Sequence, residues 1–214
     1  MELRGRTGIV MGAESPIGAA IHRALAEAGA QVLPATADTV AVLAEGAEAR
    51  PEGTDAGLLD FLVQATPLPA CSSSLAETDG LEDALLGAAR SFTQAVRATP
   101  RLARGGALVC ISAPQGPTPE DGWIAPLLAW RAAAVTGLAR ELAPKGVRVN
   151  GLAPVLEGGA RLPGFLKRGA PQVAPPTPLG RGADPAEVAE AALWLLGAGM
   201  VTGITLPLDG GRGL

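Results

Sequence analysis

Short apolar runs alternate with longer stretches of helical spacing along most of the chain, and that alternation is what most limits its fold. Strands separated by helix-length crossovers return to the same end of a sheet and pair in parallel. The first unit is the apolar run Thr7–Met11, then the glycine-bearing turn Gly12–Gly18, then Ile17–Ala28, whose apolar residues recur at helical spacing up to Gly29. Gln31–Leu33 reads as a second strand and Leu59–Val63 as a buried one. Leu81–Ala98 reads as a long helix ending before Pro100, and Ala107–Ser112 as another buried strand. Pro126–Ala143 follows as a second long helix and Val147–Asn150 as a strand. Pro185–Leu196 has Asp184 as its N-cap and Pro185 at the first helical position, and Ile204–Leu208 closes the sheet. The Pro- and Gly-rich stretches Pro114–Gly122 and Pro154–Pro178 read as loops, the second as a candidate lid. With no internal repeat and no linker, one α/β domain over residues 1–214 is expected, a doubly wound parallel sheet with helices on both faces.

Hydrophobic residues make up 48% of the chain but aromatic ones only 3%, so the core has to be built from Ala, Val, Leu and Ile. A net charge of −4, without any basic cluster, argues against nucleic acid or an anionic membrane as partner. No uninterrupted apolar run is long enough to span a bilayer, and Met1–Arg6 does not read as a signal peptide. Cys71 and Cys110 are isolated, which suits reduced, partly buried thiols in a cytoplasmic protein. The single histidine, His22, lies among alanines in a helical stretch and reads as structural or surface. Zinc sites and serine–histidine triads therefore have almost no material to work with.

The motifs are most specific at the end of the chain. Pro178-Leu179-Gly180-Arg181 is followed by Asp184-Pro185-Ala186-Glu187-Val188-Ala189, by Val201-Thr202-Gly203 and by Asp209-Gly210-Gly211. Upstream stand Leu138-Ala139-Arg140-Glu141-Leu142, Gly146-Val147-Arg148-Val149-Asn150 and Ala153-Pro154. In this order the segments resemble the short-chain dehydrogenase/reductase family, most closely its β-ketoacyl carrier-protein reductase branch. The resemblance implies a Rossmann-type sheet, a nicotinamide cofactor at the first turn, and proton transfer by a tyrosine whose hydroxyl a lysine activates.

Against that pattern the chain is depleted. It contains no tyrosine, and its only lysines are Lys145 and Lys167. The family's asparagine position falls on Leu85 and its serine position on Ala113, with Ser112 beside it. Counted from Val149-Asn150, the tyrosine and lysine positions fall on Ile124 and Leu128; counted from Ala113, on Pro126 and Trp130. The remaining polar residues nearby, Ser112, Glu120, Asp121 and Arg131, read as a solvated loop and helix surface.

The family's turn T-G-x-x-x-G-I-G appears as Met11-Gly12-Ala13-Glu14-Ser15-Pro16-Ile17-Gly18. Gly12, Ser15, Ile17 and Gly18 are the candidate, vestigial cofactor-binding residues. Pro16 stands where a glycine would let backbone approach the pyrophosphate, and it removes an N–H. Glu14 adds negative charge where related reductases often carry an arginine. The segment between the second strand and Leu59–Val63 is shorter than is usual in the family, and the N-N-A-G that lines the cofactor becomes Gln64-Ala65-Thr66-Pro67.

The expected cofactor is therefore none, or weakly bound NAD(P). The expected role is a non-catalytic subunit, as a homo-oligomer or beside a catalytically intact homologous subunit. The helices Leu81–Ala98, Pro126–Ala143 and Pro185–Leu196 are the expected assembly surfaces, with Val188, Ala192, Leu193, Leu195 and Leu196 on the last. An active oxidoreductase with a rearranged site and a binding module for an acyl thioester or small metabolite are the alternatives.

Overall fold

A computed structural model describes residues 3–35, 59–66, 81–112, 124–156 and 177–213. Within them six strands form one sheet: β1 (Thr7–Met11), β2 (Gln31–Ala35), β3 (Leu59–Gln64), β4 (Leu102–Ile111), β5 (Arg148–Pro154) and β6 (Thr205–Leu208). Their spatial order is β2-β1-β3-β4-β5-β6, and every pairing is parallel. Four helices connect them: α1 (Pro16–Glu27), α2 (Leu81–Ala98), α3 (Ile124–Leu142) and α4 (Pro185–Gly197). The sheet is the doubly wound one read from the sequence.

Alternation along each strand sorts the core into two layers. Val10, Phe61, Val63, Val109, Ile111 and Leu152 face α1 and α4, where they meet Ile17, Ile21, Leu25, Val188, Ala192 and Leu195. Ile9, Met11, Leu62, Leu108, Cys110 and Val149 face α2 and α3, where they meet Phe92, Ala95, Val135, Leu138 and Leu142. Phe61 and Phe92 are the only aromatic residues among these, and the packing is otherwise mostly aliphatic, as the composition requires.

Boundaries differ from the sequence reading where backbone pairing outruns the apolar run. β4 starts at Leu102 rather than Ala107, because Leu102 pairs with Leu59 ahead of a register shift that ends at Phe61↔Ala107. β5 continues to Pro154 because β6 pairs with Gly151 through Pro154. α3 begins at Ile124, which leaves Pro126 in the first turn, where a missing N–H costs nothing. β2 extends through Pro34 to Ala35 on the outer strand of the described sheet, the position where proline is tolerated.

The family-like motifs at the end of the chain have structural work. Asp184 caps α4 by accepting from Ala186 N at 2.8 Å and Glu187 N at 2.9 Å, while Glu187 Oε2 accepts from Asp184 N at 2.9 Å. This is a reciprocal capping box. Arg181 grips both Glu187 oxygens, at 2.7 and 2.6 Å. At the other end of α4, Arg148 reaches from β5 to the carbonyls of Leu195, Leu196 and Ala198 at 2.7–3.0 Å, satisfying acceptors that a helix terminus leaves open. Asn150 donates to Val201 O at 2.8 Å and accepts from Ile204 N at 3.3 Å, fastening the segment that leads into β6.

Candidate cofactor turn and active site

The carboxyl ends of β1, β3 and β4 lie side by side, with Met11 in register with Gln64 and Gln64 with Cys110. Ligands of doubly wound sheets bind at this end. The β1–α1 turn keeps its glycine geometry. Gly12 has φ +79°, and a Cβ there would meet the backbone of Ala65 and Thr66 at 2.6 Å. A Cβ on Gly18 would run into the carbonyl oxygen of Gly12, so the two glycines let helix and strand approach closely.

Several donors of that turn are spent inside the protein. Ser15 is buried, donates from Oγ to Gly12 O at 2.8 Å and accepts from Gly18 N at 3.0 Å, as the N-cap of α1. Ala19 N donates to Ser15 O at 2.8 Å. Pro16 has no N–H, so the anion-facing end of α1 is left with the Ile17 amide. The Ile17 side chain is buried in the core. Of the four candidate residues, Gly12 and Gly18 shape the turn, while Ser15 caps the helix.

The residues at the family's catalytic positions carry no polar side chain. Leu85 on α2 and Trp130 on α3 are both nearly half exposed. Trp130 packs edge-on against Phe92, with ring centroids 5.7 Å apart. Ile124, Pro126 and Leu128 occupy the first turns of α3, and Ala113 lies outside the described residues.

Instead, three other side chains meet there. Arg131 on α3 is wholly buried; its Nη1 donates to Ile111 O at 3.1 Å, and its Nη2 to Gln64 Oε1 at 2.8 Å and Ser91 Oγ at 3.3 Å. Arg131 Nε and Gln64 Nε2 are buried without a hydrogen-bond partner. The expectation of a solvated Arg131 is therefore wrong, and so is that of a solvated Ser112, which is buried with its N–H on Leu152 O at 2.7 Å. Glu120 and Asp121 lie outside the described residues. Helix geometry explains the miss. Arg131, Val135, Leu138, Ala139 and Leu142 form one buried stripe at i, i+4, i+7, i+8 and i+11, so the apolar pattern downstream placed Arg131 on the core face. Ser91 sits likewise on the stripe Ala88, Ser91, Phe92, Ala95, and Gln64 follows Leu62 on the same strand face.

Burial shifts the titration of this cluster. Desolvation pulls Arg131 below its ordinary value, partly offset by Cys110. Desolvation also pushes the buried Cys110 thiol up to about 12, against the pull of the Arg131 charge. Cys110 is free and stays a neutral thiol at physiological pH. Cys71 lies outside the described residues.

The comparisons with known proteins agree with this architecture. Residues 53–212 match a family model described as enoyl-(acyl carrier protein) reductase. The chain is 36% identical over 112 residues to the uncharacterized oxidoreductase YmfI of Bacillus subtilis, covering 50% of this chain and 46% of that protein. It is 42% identical over 74 residues to carbonyl reductase family member 4 of Danio rerio, covering 35% of this chain and 30% of that protein. The matched stretch thus spans less than half of either relative. Among solved structures, a short-chain dehydrogenase/reductase from Serratia marcescens superposes with a TM-score of 0.76 at 24% identity, each chain covered fully. A 3-ketoacyl-(acyl-carrier-protein) reductase from Brucella melitensis, solved with NADH, gives 0.77 at 23% identity, again over the full length of both. At that identity the likeness speaks for the fold. With the order of its motifs, its parallel sheet and a family match over most of its length, the chain belongs to the short-chain dehydrogenase/reductase family.

Proposed function

We propose that this chain is a non-catalytic short-chain dehydrogenase/reductase subunit, working as a homo-oligomer or beside a catalytically intact homologous subunit in the cytoplasm. The observation that carries the reading is Arg131. Among the described residues, the buried polar groups that α2, α3 and β3 bring to the carboxyl end of the sheet are a guanidinium, a hydroxyl and an amide. A guanidinium keeps its proton at neutral pH, and neither a serine hydroxyl nor a glutamine amide titrates there, so no group in the cluster is an acid or base for carbonyl reduction. A pyrophosphate fits the turn poorly, because Pro16 lacks an N–H, Gly18 N serves Ser15, and Glu14 adds like charge. The assembly part of the reading rests on exposed large apolar side chains in two parts of the fold. Leu85, Leu86 and Trp130 lie on α2 and α3; Trp194, Met200 and Ile204 lie on and after α4.

The purified chain, assayed for NADPH-dependent reduction of an acetoacetyl thioester, is expected to show no turnover, since loss of a positioned acid alone removes roughly 10²–10⁴ in rate. Titration with NAD or NADP is expected to give no saturation at micromolar concentration. Turnover at ordinary enzyme rates that an Arg131→Leu change abolishes would establish the rearranged-site alternative instead.

A further inference from the structure

Among the described residues, Arg131 is the one charged side chain in the buried set. Its three acceptors, a carbonyl, an amide oxygen and a hydroxyl, are all neutral, so among the described residues its charge is hydrogen-bonded but not balanced. A buried ion without a counter-charge is among the costliest arrangements in a protein interior. The neighbouring Cys110 does not supply one, since burial keeps its thiol protonated. Two N–H donors of the same cluster, Arg131 Nε and Gln64 Nε2, also have no acceptor. The orientation of Gln64 is set by its bond from Arg131 Nη2 to Oε1 at 2.8 Å; turning the amide over would point donors at the guanidinium. In that orientation Nε2 is left without a partner. A missing negative charge and two missing acceptors belong to one hydrogen-bonded pair of side chains, which is the complement of an anion.

We infer that the Arg131–Gln64 pair binds a small monovalent anion, a halide ion or a carboxylate, at the carboxyl ends of β3 and β4 between α2 and α3. A water molecule would satisfy the two donors but leave the charge unbalanced; an anion does both. The site does not depend on the chain being inactive, since it asks only that the anion stabilise the folded protein.

Thermal unfolding of the full chain at constant ionic strength tests this, with fluoride, whose hydration disfavours entry, replaced stepwise by chloride or by acetate. For a dissociation constant on the order of 10 mM, raising the anion to roughly 300 mM lifts Tm by about 4–8 °C. Arg131→Leu abolishes that response, and Gln64→Met, which keeps the charge but removes one donor, weakens it. A rise with chloride alone identifies a halide site, and one with acetate alone a carboxylate site. If Arg131→Leu does not fold, Gln64→Met carries the comparison, and bromide-soaked crystals are expected to show an anomalous peak in contact with Arg131 Nε. A wild-type Tm that neither anion raises above the fluoride baseline, or a rise that Arg131→Leu retains in full, overturns the inference.

Discussion

Arg131 and Gln64 make the residue-scale case that what a polar side chain contributes depends on what remains when its partner is removed. Gln64→Leu leaves the guanidinium buried with one acceptor fewer, and in chloride-free buffer it is expected to lower the unfolding free energy by about 1–3 kcal/mol. Arg131→Leu removes the charge and its desolvation together, and is expected to be neutral or stabilising, because apolar replacement of buried ionic groups often is. Urea denaturation of both variants checks the order; Arg131→Leu proving the more damaging of the two would show that the three neutral acceptors balance the charge by themselves. Both positions were legible in part. The stripe continuing through Val135 and Leu138 points Arg131 inward, but a charged residue on a core stripe is normally read as a stripe that has ended. The acceptors it meets there, Gln64, Ser91 and the Ile111 carbonyl, all come from other elements.

At the scale of the element, α4 shows how a sequence motif becomes a stability device. The Asp184–Glu187 capping box and the Arg181 grip hold the Glu187 carboxyl at about 2, first through the hydrogen bonds from Arg181 and then through the backbone bond from Asp184. A carboxyl whose folded value lies below its unfolded one stabilises the fold above the unfolded value, near 4.5, and loses that contribution as pH falls toward 2. The difference in Tm between wild type and Glu187→Gln is therefore expected to be constant at and above pH 6 and to shrink between about pH 5 and 2. A difference that persists unchanged at pH 2 would assign the effect of the substitution to packing instead. Asp184 as N-cap and Pro185 at the first position were readable directly, because capping is local chemistry within four residues. The partnership of Arg148 with the far end of the same helix was not, since 47 residues separate it from Leu195 and no local pattern announces it.

For the whole molecule, the question is which apolar surface faces outward. The sequence reading placed Val188, Ala192, Leu195 and Leu196 at an assembly surface; the structure buries all four inside the subunit, against α1 and the sheet. An arginine at Ala192 is therefore expected to unfold the subunit rather than split an oligomer. The exposed residues beside them, Trp194 at 50% and Met200 at 96%, are available to a partner, as are Leu85, Leu86 and Trp130 on α2 and α3. Trp194→Glu and Met200→Glu together are expected to lower the particle mass in light scattering while leaving the far-UV spectrum intact; a monomer with or without them would remove the oligomer from the proposed function. No helix among the described residues is long and apolar enough to cross a membrane.

By itself the sequence determined the order of strands and helices, the shape of the Gly12–Gly18 turn, the cap of α4 and the family, because each depends on residues close together in the chain or on periodicity. It also determined that tyrosine chemistry is absent, since composition admits no exception. The tertiary structure decided which face of each helix meets the sheet, and with it that Ala192 is core and Trp194 is surface. It also decided that Ser15 spends itself on α1 and that Arg131, Gln64 and Ser91 share one buried place. Those outcomes join β3, α2 and α3 across 67 residues of chain, and hydrogen bonds at that separation follow from packing rather than from any spacing in the sequence.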